Sequence, residues 1–484
     1  MFMRRFFVVK GVFMPEVLTE NTADKTERNK MGYEPVGRLT LKMGLPLVIS
    51  MIVQALYNIV DSIFVSRMPG GGDVAMNALT LAFPVQMLMI AVGVGTGVGV
   101  NSVLSRSLGE GDGVKAGKIA GNALLLGLLS YFVFLAFGLF GISPYLKSQT
   151  SDAAVISAAT EYLKICCVCS FGAIFYMIYE KLLQGTGRTV PATISMMTGA
   201  AANIILDPIM IYGLCGLPAM GVAGAAYATV TGQFISMTMD ALFHYLKNKE
   251  IPSAIKYLKP QKKIIGEIYA VGVPAIVMQA LMSFMTYGVN VILIRVSEEA
   301  VTAYGVYYKL QQFALFAAFG LNNAQIPIVA YNYGMGDKKR INDGIKYGYI
   351  YTVAIMAICT VIFECFADVI VNIFSLADET RKLCVTATRF IATGFPFIGA
   401  NVSYQGIFQA LGKGVASLIL SALRLIVIAL PLAFLFTLAD DAATLVWAAF
   451  PIAEAAAFVY GFIEMRFLRR KLDIEFNSDC NLSS

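Results

Sequence analysis

Asp61 is a carboxylate inside an otherwise apolar stretch, residues 45–65, which reads LPLVISMIVQALYNIVDSIFV. The stretch is long enough to cross the apolar core of a bilayer as a helix, which takes about 20 residues. A charged side chain at the centre of such a helix costs about 2.5–3.5 kcal/mol on insertion scales. Because acids are rarely kept there without a purpose, Asp61 is the first candidate for a functional group.

Three more polar side chains lie in two later apolar stretches. Asn203 and Asp207 are four residues apart, so a helix places them on one face, about 6 Å apart along its axis. Thr229 adds a hydroxyl oxygen in the next stretch. At about 1.5 Å per residue, Asp61, Asp207 and Thr229 are all predicted between the midplane and the outer face of a core about 30 Å thick.

Side chains of this kind can bind and release a small cation. Two carboxylates at one depth in a medium of low dielectric constant should not both ionise freely, and their titration would be coupled. Oxygen ligands also suit a hard cation such as Na⁺. We therefore expect Asp61, Asn203, Asp207 and Thr229 to hold H⁺ or Na⁺ and to release it when the opposite side opens. The alternative is a structural hydrogen-bonded pair that joins two helices.

Two prolines lie near these side chains. Pro208 directly follows Asp207 and, because it cannot donate a backbone hydrogen bond, it leaves a carbonyl one turn back free. Pro46 precedes Asp61 by 15 residues and is expected to give the first helix a flexible point.

The chain that positions these groups has the composition of a membrane protein. Of its 484 residues, 57% are hydrophobic and 14% are charged, with a mean hydropathy of +0.69, whereas soluble domains carry about 25% charged residues. The sequence predicts an all-α membrane protein with twelve transmembrane helices. The predicted spans are 44–66, 75–103, 119–141, 159–183, 190–213, 219–243, 266–294, 300–329, 345–366, 383–408, 415–437 and 443–465.

The basic residues predict the orientation in the membrane. Of 37 Lys and Arg residues, 28 lie in the segments on one side and five lie in the alternate loops, and positively charged loops stay in the cytoplasm. We therefore expect a multi-pass protein of the cell membrane with both termini cytoplasmic. This bias explains the net charge of +6, so no nucleic-acid partner is predicted.

The two halves of the chain repeat each other. With six spans in each half, both halves run in the same direction and form two six-helix lobes related by a pseudo-two-fold axis along the membrane normal. Such lobes place a substrate cavity at their interface, and a cavity within one chain favours a functional monomer. The repeated segments are MGLPLVISMIVQ (43–54) with VGVPAIVMQALM (271–282), LGEGD (108–112) with YGMGD (333–337), and QGTGR (184–188) with QALGK (409–413).

The repeat and the loop charges together predict five regions. They are a cytoplasmic N-terminal tail (1–43), an N-lobe (44–245), a cytoplasmic linker (246–264), a C-lobe (265–468) and a cytoplasmic C-terminal tail (469–484). The glycine-rich GVGTGVGV (93–100) lacks the GK[ST] of a phosphate-binding loop and fits close helix packing instead. We expect no cofactor and no metal beyond a coupling ion, H⁺ or Na⁺, so the energy for transport must come from an ion gradient or a partner.

The polar motifs as a set resemble the multidrug and toxic compound extrusion (MATE) family. The motifs are Pro46 with QALYNIVD (54–61), NIILDP (203–208) and GAAYAT (224–229), and the resemblance extends from about residue 38 to residue 470. It implies an antiporter that exports cytoplasmic amphipathic or cationic organic compounds as H⁺ or Na⁺ enters, by alternating access. Small organic cations and membrane lipid are then the expected partners.

The resemblance also implies roles for individual residues. The N-lobe cation or proton site of the prokaryotic branch matches the four polar residues already named. Positions that line the substrate cavity match Gln54 and Tyr57, with Met196 as a weaker match. The proline at which the first helix bends matches Pro46.

One departure from the family concerns the C-lobe. Another branch carries a Glu in the seventh span and an Asp in the tenth, and residues 270–294 and 383–408 contain no acid here. The N-lobe set is therefore left as the candidate coupling site. The remaining polar residues of the C-lobe spans are interpreted as structural or cavity-lining, and they are Lys309, Gln311, Gln312, Asn322, Asn323, Arg389, Arg424 and Glu454.

Other functions are less favoured. A lipid-linked oligosaccharide or lipid flippase of the same broad architecture is the alternative, and it would favour several arginines in the cavity. An intramembrane enzyme would need a nucleophile–base pair, a metal set or an acidic cluster such as DDxxD, whereas the chain has one histidine and no such cluster. A passive channel is disfavoured by the repeat and by the buried acids, so we predict a transporter and no enzyme activity.

Overall fold

The computed structural model describes residues 29–68, 72–252, 254–374 and 376–482, and these residues contain helices and no strands. A bilayer offers no water to satisfy backbone N–H and C=O groups, so long apolar segments satisfy them within helices. The helices of the N-terminal half are α1 (Val36–Ser66), α2 (Gly72–Gly109), α3 (Gly113–Ala136), α4 (Ile142–Gln149), α5 (Ala153–Val168), α6 (Phe171–Gly185), α7 (Thr189–Tyr212) and α8 (Val222–Lys247).

Several short turns and the helices of the second half complete the described part of the chain. Short 3₁₀ turns lie at Lys30–Gly32, Ala254–Tyr257 and Val446–Ala448, and π-helical turns lie at Phe137–Gly141 and Leu423–Val427. The helices are α9 (Lys262–Leu293), α10 (Glu298–Met335), α11 (Lys338–Asn372), α12 (Asp378–Ala392), α13 (Phe395–Ala410), α14 (Gly414–Ala422), α15 (Ala429–Phe436), α16 (Ala442–Leu445) and α17 (Ala449–Leu482).

The helices account for the predicted number of spans. Within the described residues, nine helical segments are long and apolar enough to cross a membrane, and the bent pairs α5–α6 and α12–α13 bring the number to eleven. α8 is less apolar but has 26 residues, which is enough to cross the core, and it completes the twelve. The all-α fold with two six-helix lobes is therefore confirmed.

Two predicted spans are bent rather than continuous. The sequence predicted spans over 159–183 and 383–408, and the structure divides each of them into two helices: α5 and α6 meet at 45°, and α12 and α13 meet at 51°. At the second break, proline occupies the first turn of α13, where its missing N–H costs no helical hydrogen bond. Pro396 thus starts a new helix instead of continuing α12.

The repeated GD loops have the same structure in both halves. Gly111 and Gly336 have φ of 74° and 77°, a left-handed conformation that favours glycine. The next residue of each loop, Asp112 or Asp337, accepts a hydrogen bond from a backbone N–H of the following helix at 2.8 and 2.9 Å. The repeat therefore encodes a turn and a helix cap that start α3 and α11.

The two lobes pack closely along α2, which contacts α9 and α10. A Cβ added to Gly95 would lie 2.7 Å from the backbone nitrogen of Ile276 in α9, so only glycine allows this approach. Further along α2, a Cβ on Gly109 would overlap the carbonyl oxygen of Tyr331 in α10. The predicted cytoplasmic halves of the lobes are therefore in direct backbone contact.

Residues 29–34, which we call the N-terminal segment, lie across both lobes at the same end. The Asn29 amide donates to the Thr186 carbonyl at 3.0 Å and to Glu250 Oε2 at 2.7 Å. On the C-lobe, the Asn332 amide donates to the Met31 carbonyl at 3.1 Å, and the Met31 side chain is fully buried. The structure is therefore closed at its predicted cytoplasmic end.

The helices extend past all four predicted region boundaries, by two or three residues where α8 and α9 enter the linker and by more in the two tails. α1 begins at Val36, inside the predicted N-terminal tail, and α17 continues through the predicted C-terminal tail to Leu482. Residues 1–28 of the N-terminal tail lie outside the described residues.

Candidate ion-coupling site

Helices α7 and α8 cross closely where two of the predicted site residues meet. A Cβ on Gly199 of α7 would lie 2.5 Å from the carbonyl oxygen of Gly232 in α8, so the two glycines let the backbones touch. One turn further along α7, the Asn203 amide donates to Asp207 Oδ1 at 3.3 Å, and it lies 3.5 Å from Thr229 Oγ1 of α8. The crossing thus brings Asn203, Asp207 and Thr229 together.

Helix α1 adds the second acid to this group. α1 packs against α7, and the Asp61 carboxylate lies within interaction distance of the Asp207 carboxylate. Asp207 is fully buried, and Asn203 is 3% exposed. Two acids from different helices therefore lie close together in the N-lobe, one fully buried and the other, Asp61, partly buried.

Three oxygen atoms of this group lack a hydrogen-bond donor. Asp61 Oδ1, Asp207 Oδ2 and Asn203 Oδ1 are buried, and no described side chain or backbone group donates to them. Burying a carboxylate without compensation is costly, so such groups bind a proton or pair with a cation. The donor set, two carboxylates with an amide and a hydroxyl oxygen, fits either H⁺ or Na⁺.

A small cavity adjoins the same residues. Asn203 and Thr229 form part of its wall, and the three residues carried over as cavity-lining, Gln54, Tyr57 and Met196, form another part. The rest of the wall comes from Tyr176, Gly199, Ala200, Gly232, Gln233 and Ser236. All of the lining residues belong to the N-lobe.

In this conformation the cavity is large enough for a small ion but too small for a drug-sized molecule. Its volume is about 40 Å³, whereas pockets for organic ligands have about 300–1,000 Å³ and a water needs about 10–15 Å³. In this conformation the cavity therefore fits a few waters or a small cation. Gln54, Tyr57 and Met196 line a space of ionic dimensions here, and their contact with an organic substrate stays a prediction.

Pro46 lies inside a continuous helix. α1 runs from Val36 to Ser66 without a break, because a proline removes one hydrogen bond without forcing the helix to end. A bend at Pro46 therefore stays a prediction.

The C-lobe contains a different kind of buried acid. Glu454 of α17 pairs with Arg424 at 2.9 Å, and the two side chains are 9% and 6% exposed. The Asn401 amide donates to the other carboxylate oxygen of Glu454 at 2.8 Å. Both carboxylate oxygens of Glu454 thus have a partner within the protein. Unlike the N-lobe acids, Glu454 keeps no unpartnered oxygen that could bind an ion.

Four further residues near the site were not predicted from the sequence, and they are Asp240, Tyr176, Gln233 and Ser236. Asp240 is fully buried in α8 and lies inside the predicted span 219–243, so the reasoning applied to Asp61 would have found it. The other three line the cavity, but polar or aromatic residues are common in spans and carry no such signal.

Known proteins are similar to this chain along most of its length. The MatE family model matches residues 46–209 and 274–435, one block in each half. The multidrug export protein MepA of Staphylococcus haemolyticus (strain JCSC1435) is 26% identical over 439 residues, which cover 90% of this chain and 94% of that protein. The MepA of Staphylococcus aureus (strain MRSA252) is 26% identical over 449 residues, covering 91% and 96%. A solved structure described as the outward-facing conformation of a multidrug resistance MATE family transporter shares the fold, with a TM-score of 0.85, 24% identity, and 92% and 99% coverage.

Proposed function

Because this chain belongs to the MatE family, we propose that it is a secondary active antiporter that exports amphipathic or cationic organic compounds in exchange for H⁺ or Na⁺. Members of this family are membrane transporters and not enzymes. The similarity to multidrug export proteins supports a broad set of organic substrates. Transport proceeds by alternating access, with the lobes opening to one side of the membrane at a time.

The proposal rests on the two N-lobe acids, whose carboxylates keep oxygens that no described hydrogen-bond donor contacts and that could bind an ion. Asp61 and Asp207 lie close together, and each keeps one buried oxygen without a donor. A site of this kind binds a cation from one side and must lose it before the acids can accept another. The binding of the ion and the binding of the organic compound are then coupled through the movement of α1, α7 and α8.

The closed cytoplasmic end supports the direction of this cycle. Contacts between α2 and α10 and the hydrogen bonds of the N-terminal segment close the predicted cytoplasmic side. In such a state, the N-lobe acids would take up an ion from the outside. Opening of the cytoplasmic side would follow, and the ion would leave there as an organic compound binds between the lobes.

Substitution of either acid tests the coupling role. Asp61→Asn and Asp207→Asn remove a carboxylate but keep its shape, so we expect gradient-driven efflux of a fluorescent cationic dye to be lost at normal protein levels. Asp73→Asn is the matched control, because Asp73 is exposed at the start of α2. Dye efflux at the wild-type rate in either buried-acid variant would overturn the proposal.

A second experiment identifies the ion. Purified protein in liposomes is given a pH gradient or a Na⁺ gradient, and dye movement is followed in each case. The gradient that drives movement names the coupling ion, and movement that needs neither gradient would contradict antiport.

A further inference from the structure

Asp240 is a further buried acid of the N-lobe, and it lies outside the coupling site. Its side chain is fully buried, and neither carboxylate oxygen accepts a hydrogen bond from a described group. Within the described residues, no Lys or Arg forms an ion pair with it. Asp240 therefore resembles Asp61 and Asp207 in lacking compensation for its charge.

The neighbours of Asp240 come from two helices that pack on α8. On α6, Glu180 and the phenol of Tyr176 lie near it. On α7, the Ser195 hydroxyl lies beside it but donates its proton to the Pro191 carbonyl at 3.1 Å. Glu180 thus adds negative charge beside Asp240, and none of these neighbours carries a positive charge that would neutralise the carboxylate.

Asp240 also lies next to the cavity of the coupling site. Ser236, one turn earlier on the same face of α8, lines that cavity, as does Tyr176 of α6. Tyr176 lies near both Tyr57 and Asp240. At about 1.5 Å per residue, Asp240 lies about 16 Å along α8 from Thr229, in the direction of the cytoplasm.

A polar stripe continues from Asp240 to the predicted cytoplasmic end of α8. His244 is one turn beyond Asp240 and is 3% exposed. Its Nδ1 lies 3.0 Å from the amide nitrogen of Asn248, and the Thr186 hydroxyl donates to Asn248 Oδ1 at 2.8 Å. The members of the stripe are spaced by three or four residues along one helix face, and they are Thr229, Gln233, Ser236, Asp240, His244 and Asn248.

We propose that Asp240 is an inner proton-binding position, which receives the coupling proton from the cavity and passes it by way of His244 towards the cytoplasm. This inference rests on the proposed antiport and adds to it the route by which the ion leaves the N-lobe. A carboxyl and an imidazole can each take up and release a proton, whereas an imidazole nitrogen is a poor ligand for a hard cation such as Na⁺. Arg188, which pairs with Glu250 at 3.0 Å, lies near His244, and its positive charge favours an imidazole that passes the proton on instead of keeping it. The stripe therefore favours H⁺.

A purely structural role explains Asp240 poorly. An uncompensated buried acid destabilises a protein, and a neutral group of the same shape is tolerated as well or better. The Asp240→Asn variant should therefore fold normally and melt at or above the wild-type temperature. A variant that misfolds would show that the carboxylate supports the structure, and this would overturn the proposal.

Liposome transport measures the role directly. With a pH gradient, we expect dye transport by Asp240→Asn to fall by about tenfold, in the usual range for coupling between two ligand sites. Exchange of dye for dye without a gradient needs no net proton passage and should keep the wild-type rate. Asp240→Glu should recover part of the driven transport. Glu161→Gln, at an exposed acid of α5, is the matched control.

The outcomes separate this inference from the proposed function. If Asp61→Asn is inactive but Asp240→Asn transports normally, the inner position is wrong and the antiport stands. If both variants transport normally, the antiport itself is wrong. Equal loss of exchange and driven transport in Asp240→Asn, or transport that only a Na⁺ gradient drives, would also overturn the inner proton position.

Discussion

Arg340 holds the N-terminal segment against the C-lobe through the carbonyl of Met31. The guanidinium Nη2 donates to the Met31 carbonyl at 2.8 Å and to the Glu34 carbonyl at 2.8 Å, while Nε donates to Asn332 Oδ1 at 2.8 Å. One side chain of α11 thus fixes two turns of the chain that precede α1. Because Asn29 of the same segment bonds to the N-lobe, this segment links the lobes at the closed end.

Removal of Arg340 should loosen this link. Arg340→Ala loses three charge-assisted hydrogen bonds and removes the donor to the part-buried Glu34 carbonyl, while the Met31 carbonyl keeps only the Asn332 amide, so we expect the free energy of unfolding to fall by about 2–3 kcal/mol. A thermal melt in detergent measures the change. Lys339→Ala is the control, because Lys339 is exposed on the same turn; equal melting of the two variants would contradict the role of Arg340.

Gly109 should be required for closure of the cytoplasmic end. A Cβ at this position overlaps the Tyr331 carbonyl of α10, so Gly109→Ala must push the lobes apart and should reduce gradient-driven dye efflux. Gly266→Ala is the matched control, since a Cβ on Gly266 of α9 meets nothing within 4 Å. Efflux by Gly109→Ala at the rate of Gly266→Ala would show that this contact is not needed.

Substitution of Thr229 should affect Na⁺-driven transport and H⁺-driven transport differently. Na⁺ needs several oxygen ligands, whereas a proton needs a single carboxylate, so Thr229→Val should weaken Na⁺ dependence by about tenfold, as loss of a group that supports a metal ligand does. Transport driven by a pH gradient should stay within about twofold of wild type. Dye transport in liposomes at varied Na⁺ and pH measures both effects, and equal losses would contradict the ligand role of the hydroxyl.

The C-lobe ion pair should matter for stability. Glu454→Gln leaves Arg424 buried without its partner, and breaking such a pair costs about 3–5 kcal/mol. The exposed pair of Arg389 with Asp368, at 2.8 Å, is the comparison, because Asp368→Asn should cost about 1 kcal/mol or less. Thermal melts of the two variants test this, and a Glu454→Gln protein as stable as Asp368→Asn would refute the structural interpretation.

The sequence was sufficient to predict the fold because bilayer physics leaves a clear signal. Apolar runs of span length predicted the helices, and the GD loops predicted the repeat that Asp112 and Asp337 now explain as matching helix caps. The acids stood out because charge is costly in an apolar span. Asn203 and Thr229 were recognised by their spacing and by motif, and the α7–α8 crossing brings them together.

Other features depend on tertiary contacts that no local pattern reveals. The break between α5 and α6 has no proline to announce it, and the docking of Met31 depends on Asn332 and Arg340, which lie about 300 residues away. The small volume of the cavity is set by the rotamers of its lining residues. The lack of hydrogen bonds to Asp240 likewise depends on tertiary contacts, because the neighbouring Ser195 hydroxyl donates to the Pro191 carbonyl instead.

The Arg424–Glu454 pair also bears on how the membrane voltage acts on transport. Moving one elementary charge across the field changes the energy by about 2.3 kcal/mol per 100 mV, but an acid with a permanent counter-charge contributes nothing to that sum. In the proposed antiport, the electrical work of one turnover is then set by the ions that the N-lobe carboxylates would carry, minus the charge of the exported compound. Under this proposal the membrane voltage acts on the N-lobe acids and not on the C-lobe pair, although the two lobes share one fold.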